Sequence, residues 1–168
     1  MGTKLSDEKY HKLAQKDIGL GGWLVLVQIG LYYSFLTLLV RLFRDVIPLF
    51  SSEELNQLTS KESEFYHPLW RPLITFEILY TIGFILFIVF VLFNFYRKKS
   101  ILPSLMITLY IANLFAGIMY TVLSNQIPLA ADSEDGSSYK QIFQLFITCA
   151  IWVPYFMKSY RVKNTFVR

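Results

Sequence analysis

Cysteine is nearly absent from this sequence: Cys149 stands alone among 168 residues. One thiol closes no intrachain disulfide, so a disulfide-stapled scaffold is excluded and the redox character of the compartment leaves no trace. Histidine is almost as sparse. His11 and His67 lie far apart, and Cys149 has no histidine near it in sequence, so no zinc ligand set and no Cys–His nucleophile pair is spelled out. There is no glycine-rich phosphate loop and no internal repeat. Charge is scarce as well. Asp, Glu, Lys and Arg make up 17% of the residues, against about 25% in a soluble domain. No cofactor, no metal and no nucleic-acid partner are therefore expected. The net charge of +4 and the pI near 9.1 come from basic residues that flank apolar runs instead of forming one stripe.

What the sequence has is apolar bulk, 54% hydrophobic and 17% aromatic, gathered into blocks. A membrane-spanning helix needs about 20 mainly apolar residues, and the chain offers four such blocks. The reading is an all-α, polytopic four-transmembrane-helix bundle in one domain. Its spans cover residues 22–47, 73–94, 101–123 and 139–156, with a tail over 1–21, outer loops over 48–72 and 124–138, a cytoplasmic loop over 95–100 and a basic tail over 157–168. The run from Trp23 is too long for a signal-peptide core and lacks a small-x-small cleavage pattern, so it is expected to stay in the membrane. Past Val40, Leu42, Phe43, Val46 and Ile47 continue the helical spacing while Arg41, Arg44 and Asp45 share the opposite face, and Pro48 is the expected terminator. Pro103 sits in the first turn of the third span, where its missing N–H is harmless. Pro154 is expected to kink or end the fourth. In the first outer loop Ser51 and Glu54 have capping-box spacing and Phe50 can staple to Leu55, which predicts a short amphipathic helix over 52–59. Asp132 to Ser138 reads as an acidic turn.

Lysine and arginine counts set the orientation. With Arg41, Arg44 and Lys140 at span ends counted to the nearer side, the five segments from the N-terminal tail onward hold four, four, three, one and four. Placing both chain ends inside puts eleven of the sixteen in the cytoplasm, as the positive-inside rule demands. Arg97-Lys98-Lys99 forms most of the loop between the second and third spans.

Two stretches at the cytoplasmic ends carry more specific patterns. One is Gly21-Gly22-Trp23 at the entrance to the first span. The other is Trp152-Val153-Pro154-Tyr155-Phe156 with Ser159, then Arg161, Lys163, Thr165 and Phe166. With four apolar spans and this length, they resemble the bacterial membrane-protein family catalogued as domain of unknown function 2569. The resemblance implies a bacterial inner-membrane protein and brings no catalytic residues with it. Read physically, the glycines bend the chain at the membrane surface, the tryptophans anchor in the headgroup layer, and the Arg161–Lys163 tail sits on anionic lipid.

Apart from Asp45 on the amphipathic outer end of the first span, Glu77 is the one acid inside a span. If the first helix ends at Ile47, Arg41 and Glu77 lie at matching depths of about 7–9 Å at 1.5 Å per residue. Glu77 is therefore expected to be held by Arg41, with Arg44 and Arg71 as alternatives, either as a structural ion pair or as an ion or proton site. Gln28, Asn113, Gln144 and Thr148 are candidates for interhelical hydrogen bonds. Ala112, Asn113, Ala116 and Gly117, and on the first helix Gly30 and Ser34, are candidate packing stripes. The aromatic second span, from Phe84 to Phe95, reads as lipid-facing. Function is left among three readings. The first is a non-enzymatic accessory, assembly or lipid-binding protein whose partners are anionic lipid, another membrane protein or itself. The second is a small transporter or channel using Glu77. The third is a lipid-modifying enzyme.

Overall fold

Helix is the only regular secondary structure among the residues that the computed structural model describes, 21–51, 53–132 and 136–167. The expected tail over 1–20, the middle of the acidic turn at 133–135, and Arg168 lie outside the described residues. So do the side chains of Phe50, Ser51 and Glu54, on which the capping box and staple rest.

Helix α1 (Trp23–Arg41) starts after Gly22, which turns the chain at φ 62°. It passes through a π-helical turn over Leu42–Val46 into α2 (Ile47–Ser51). Pro48 thus does not terminate the helix, contrary to the sequence expectation. The π turn is the reason. It widens the backbone where the proline ring would strike the Arg44 carbonyl and where the missing N–H would leave that carbonyl unbonded. Helix α3 (Glu53–Thr59) falls inside the predicted 52–59. It is followed by linked turns in which Leu69 N–H donates to His67 Nδ1 (3.3 Å) and Trp70 Nε1–H donates to the Phe65 carbonyl (3.2 Å). His67 is thereby a turn-forming residue.

Helix α4 (Trp70–Tyr96) starts three residues before the expected 73, since Pro72 falls in its first turn, where backbone N–H groups have no intrahelical partner anyway. It ends in a Schellman motif: Lys98 N–H donates to the Phe95 carbonyl (3.1 Å) and Lys99 N–H to the Asn94 carbonyl (3.1 Å). The left-handed position is taken by Lys98 at φ 54°, where glycine is usual and a side chain costs roughly 1–2 kcal/mol. Helix α5 (Leu102–Ser124) has Pro103 in its first turn as expected. Then come α6 (Pro128–Asp132), α7 (Ser137–Lys158) and α8 (Tyr160–Thr165). α6 and α8 are unforeseen. The segment read as a basic tail is a helix with Val162 and Phe166 buried.

Three helices, Trp23–Leu49, Trp70–Tyr96 and Leu102–Ser124, are long and apolar enough to cross a membrane. At 1.5 Å per residue they reach about 35–40 Å, more than the roughly 30 Å hydrocarbon core. Their outer faces are as apolar as their inner ones: Leu79, Leu86 and Phe115 are 68%, 65% and 65% exposed. Water would penalise such surfaces and lipid does not. The chain is a helical membrane protein.

α7 lies antiparallel on α5 along its whole length. Asn125 donates to the Tyr139 hydroxyl (3.0 Å), and Cys149 Sγ–H donates to the Tyr110 carbonyl (3.2 Å). Midway, Gly117 lets the helices close up, because a Cβ there would sit 2.8 Å from Leu145 Cδ1. The packing stripe expected on α5 is therefore used. The one expected on α1 is not, since Gly30 has nothing within 4 Å of where a Cβ would be. Thr148 bonds its own Gln144 carbonyl (2.8 Å) and does not bridge helices. Pro154 does not end α7, which runs on to Lys158.

The apolar core gathers at one end of the bundle. Leu24, Val27 and Leu31 of α1, Ile88, Val91 and Phe95 of α4, Leu102, Met106 and Leu109 of α5, Phe156 of α7, and Val162 with Phe166 meet there. The expectation that 84–95 faces lipid therefore holds for Phe90 and Phe93 but fails for Ile88, Val91 and Phe95, which are buried. A helix with neighbours on one side has an inward stripe however aromatic its sequence.

Phe156 is 2% exposed and Phe143, on the same helix, 64%. Phe156→Ala is expected to destabilise the detergent-solubilised protein by roughly 3–5 kcal/mol, and Phe143→Ala by under about 0.5 kcal/mol. Thermal unfolding followed by helicity checks the pair. Equal losses would mean that the buried face of α7 is misplaced.

Candidate functional site

At the end opposite the core, the bundle loosens around a charge. Arg41 closes α1 just before the π turn, and Glu77 lies two turns into α4. The guanidinium meets the carboxylate side-on: Nη2 donates to Oε1 at 2.7 Å and Nε donates to the same oxygen at 3.1 Å. Their side chains are 32% and 22% exposed, so solvent or lipid headgroups reach them. Of the alternative partners foreseen, Arg44 and Arg71 are exposed and form no ion pair with Glu77.

One helical turn deeper, the Tyr80 hydroxyl donates to Asn113 Oδ1 at 2.6 Å, tying α4 to α5. The Tyr80 ring sits between Phe76 and Phe84, with centroids at 6.3 and 4.5 Å. The Arg41 guanidinium also stands 5.8 Å from the centroid of the Tyr120 ring on α5, within cation–π range. Arg41, Glu77, Tyr80, Asn113 and Tyr120, with Gln141 and Leu145 of α7, line a cavity of about 50 Å³, room for a few waters and no organic ligand. Arg41, Tyr120 and Gln141 also line a cleft of about 690 Å³ open at the end of the bundle, walled by Leu58 of α3, Trp70 of α4, Leu129 of α6, and Ser137 and Ser138 of α7. On its other flank Glu77 shares a hollow of about 210 Å³ with Asp45 and Leu49.

Sequence reasoning missed Asp45 as a neighbour of Glu77, because the π turn that re-aims it has no sequence signature. It also missed Tyr80 and Tyr120. A tyrosine three residues after an intramembrane acid, on the same helical face, was the available signal for Tyr80.

The two signature-like stretches converge at the core end. Trp23 and Trp152 meet edge-to-face, with centroids 6.2 Å apart and planes at 70°. Trp152 and Tyr155 meet in the same way at 5.6 Å. The Tyr155 hydroxyl is buried without a partner among the described residues. Ser159 both ends α7 and caps α8, accepting the Val162 N–H on its Oγ at 3.4 Å. The Arg161 guanidinium lies over the two glycines. A Cβ on Gly21 would be 3.6 Å from it, and one on Gly22 would overlap it. Thr165 and Phe166 are buried, Phe166 against the Phe95 ring at 5.6 Å, while Lys163 is exposed. Arg161 thus packs on the chain itself, where the sequence alone placed it on lipid.

The family model described as protein of unknown function (DUF2569) matches residues 18–167. The chain belongs to that family. No curated protein and no solved structure matches it.

Gly22 is held at φ 62° beneath Arg161, whereas Gly21 has ordinary van der Waals room. Gly22→Ala is expected to destabilise the protein by at least roughly 1–2 kcal/mol from its backbone conformation alone, and Gly21→Ala by under about 0.5 kcal/mol. Adding Arg161→Ala to Gly22→Ala relieves the overlap and leaves the backbone penalty. Melting temperatures of the four proteins test this, and an indifferent Gly22→Ala would overturn it.

Proposed function

We propose that this is a four-span protein of the bacterial inner membrane, with both chain ends in the cytoplasm, that acts through contacts: an accessory, assembly or lipid-binding protein whose working surface is the cleft beside Arg41. The carrying observation is that the polar cavity is a dead end. It reaches Tyr80 and Asn113, and the bundle beyond them is packed mainly with apolar side chains, with Asn94 and Thr165 among its few buried polar ones. A cleft open at one end and plugged below suits a binding surface better than a passage. Its volume falls in the range of about 300–1,000 Å³ common for ligand sites. Its lining sets Arg41, Ser137 and Gln141 beside Leu58, Trp70 and Leu129, which matches an amphiphile with an anionic head. The tie between Glu77 and Arg41 supports a structural role for the acid, since either charge alone is costly in lipid.

The fourth span is supported by the outer face of α7. Phe143, Phe146, Ile147 and Ile151 are all exposed, an apolar stripe that water would not tolerate, on a helix of 22 residues packed along the full length of α5. The orientation is supported by basic residues. Arg97, Lys98, Lys99, Lys158, Arg161 and Lys163 stand at the core end, where the positive-inside rule puts cytoplasm.

A second reading, a small proton- or cation-dependent transporter, draws on one observation. Both bonds from Arg41 go to Oε1 of Glu77, and Asp45 faces the same hollow as that carboxylate.

Reporter fusions after Lys99 and at the C-terminus are expected to read cytoplasmic, and fusions near Ser60 and Glu134 external; a cytoplasmic signal at Glu134 would sink the four-span topology. The two functional readings separate at Glu77. If the pair is structural, Glu77→Gln destabilises by roughly 1–3 kcal/mol, and exchanging the charges of Arg41 and Glu77 restores part of it. Should Glu77→Gln leave the melting temperature unchanged and abolish a proton- or cation-dependent flux in proteoliposomes, the transporter reading replaces ours.

A further inference from the structure

At the core end, on the outward side of α1 and α4, three polar side chains form a network between the two helices, the interhelical bonding expected of Gln28. Gln28 Nε2–H donates to the Tyr96 hydroxyl, and the Tyr32 hydroxyl lies 2.9 Å from the same oxygen. Tyr32 and Tyr96 are 43% and 47% exposed, so the network sits on the surface. Immediately beyond it come Arg97, Lys98 and Lys99, which with Tyr96 line an open hollow of about 450 Å³. The Arg97 guanidinium lies 4.2 Å from the centroid of the Phe93 ring, on the outward apolar face, so its charge is held at the boundary between apolar and polar surroundings. Lys98 occupies the left-handed position that glycine would fill without penalty.

From these features we propose that the hollow at Tyr96–Lys99 binds the phosphate of an anionic phospholipid. The three cations carry the charge recognition, and the Tyr96 hydroxyl, which lines the hollow and accepts from Gln28 and Tyr32, offers its own proton. An acyl chain would follow the outer faces of α1 and α4, past Phe93 and Phe90, which are exposed there. Charge complementarity chooses the occupant: three consecutive basic residues at the end of an apolar face meet a group that is anionic at its head and apolar in its tail. The negative end of the α4 dipole is offset by the same cations. An outlying backbone conformation maintained at a lysine points to use of that side chain. This site is at the opposite end of the bundle from the Arg41 cleft, and stands or falls independently of it.

The test uses the full chain, solubilised with an equal mixture of phosphatidylglycerol and phosphatidylcholine, and counts retained lipids by native mass spectrometry. Wild type is expected to retain the anionic lipid about a hundredfold over the neutral one, the preference that three basic residues at ~1 kcal/mol each near a membrane surface would give. The triple change Arg97→Gln, Lys98→Gln and Lys99→Gln should abolish the preference. Lys98→Gly, whose backbone suits the position, should reduce it several-fold while keeping or raising the melting temperature, so that a loss cannot be ascribed to misfolding. Lys61→Gln, an exposed charge at the other end, should leave it unchanged. No preference in wild type, or a preference that survives the triple change or falls equally with Lys61→Gln, would overturn the site.

Discussion

Two opposite charges meeting between α1 and α4 set the terms for the open half of this protein. Arg41 and Glu77 lie on helices whose other faces are aliphatic and aromatic, and neither could face lipid alone at small cost. Their contact fixes the rotation of α1 against α4 at this end. It also places the guanidinium near the Tyr120 ring and leaves the acid facing α5 and α7 on one side and Asp45 on the other. The π turn belongs to the same arrangement. It follows Arg41 directly, re-aims what comes after it, and lets the helix continue through Pro48 toward α3. A partly exposed pair contributes less than a sealed one, yet it governs register because the alternatives are worse.

The two ends of the bundle obey different physics. The core end is dry and interdigitated: the Phe95, Phe166, Phe156 and Tyr110 rings lie within 5.6–6.3 Å of a neighbour, and α8 folds back to cover them. In a bilayer helices gain little from hiding apolar surface from one another, so close van der Waals packing and small residues hold them. Gly117 beneath Leu145 and the close fit of Gly22 under Arg161 are the local forms of that rule. The Arg41 end has ring contacts too, around Tyr80, but adds an ion pair, hydrogen bonds and clefts. The rigid half holds four helix ends together, so the other can stay open without losing the bundle.

Much of this was legible in the sequence, and the limits have physical causes. Apolar blocks of about twenty residues announce helices with great redundancy, which is why three span-length helices were found within a few residues of their ends. The partnership of Arg41 with Glu77 followed from depth alone, since antiparallel helices align residues by rise. Depth says nothing about rotation, so Asp45, Tyr80 and Tyr120 went unseen and Gly30 was taken for a packing residue. The tail after Ser159 was misread for another reason. Its basic residues look like solvent-facing charge, whereas Val162, Thr165 and Phe166, at helical spacing between them, are what bury it. Six residues of amphipathic pattern are too few to stand out from a charged background.

The return of α8 explains why the two family-like stretches, more than a hundred residues apart, occupy one place. Trp23 needs Trp152 as its edge-to-face partner. Arg161 needs a surface without side chains, which Gly21 and Gly22 provide. Ser159 sets the turn that brings Arg161 there by ending one helix and capping the next. Each of these residues has a partner in the other stretch or in the turn that delivers it. Their joint effect is to lock the last segment of the chain against the start of the first long helix. In a bundle whose far half is open, closing the chain on itself at the near half is what prevents α1 and α7, which share few other contacts, from separating. Architecture accounts for these stretches, and the binding proposed for this protein falls on the surfaces left exposed, the cleft beside Arg41 and the basic rim beyond Tyr96.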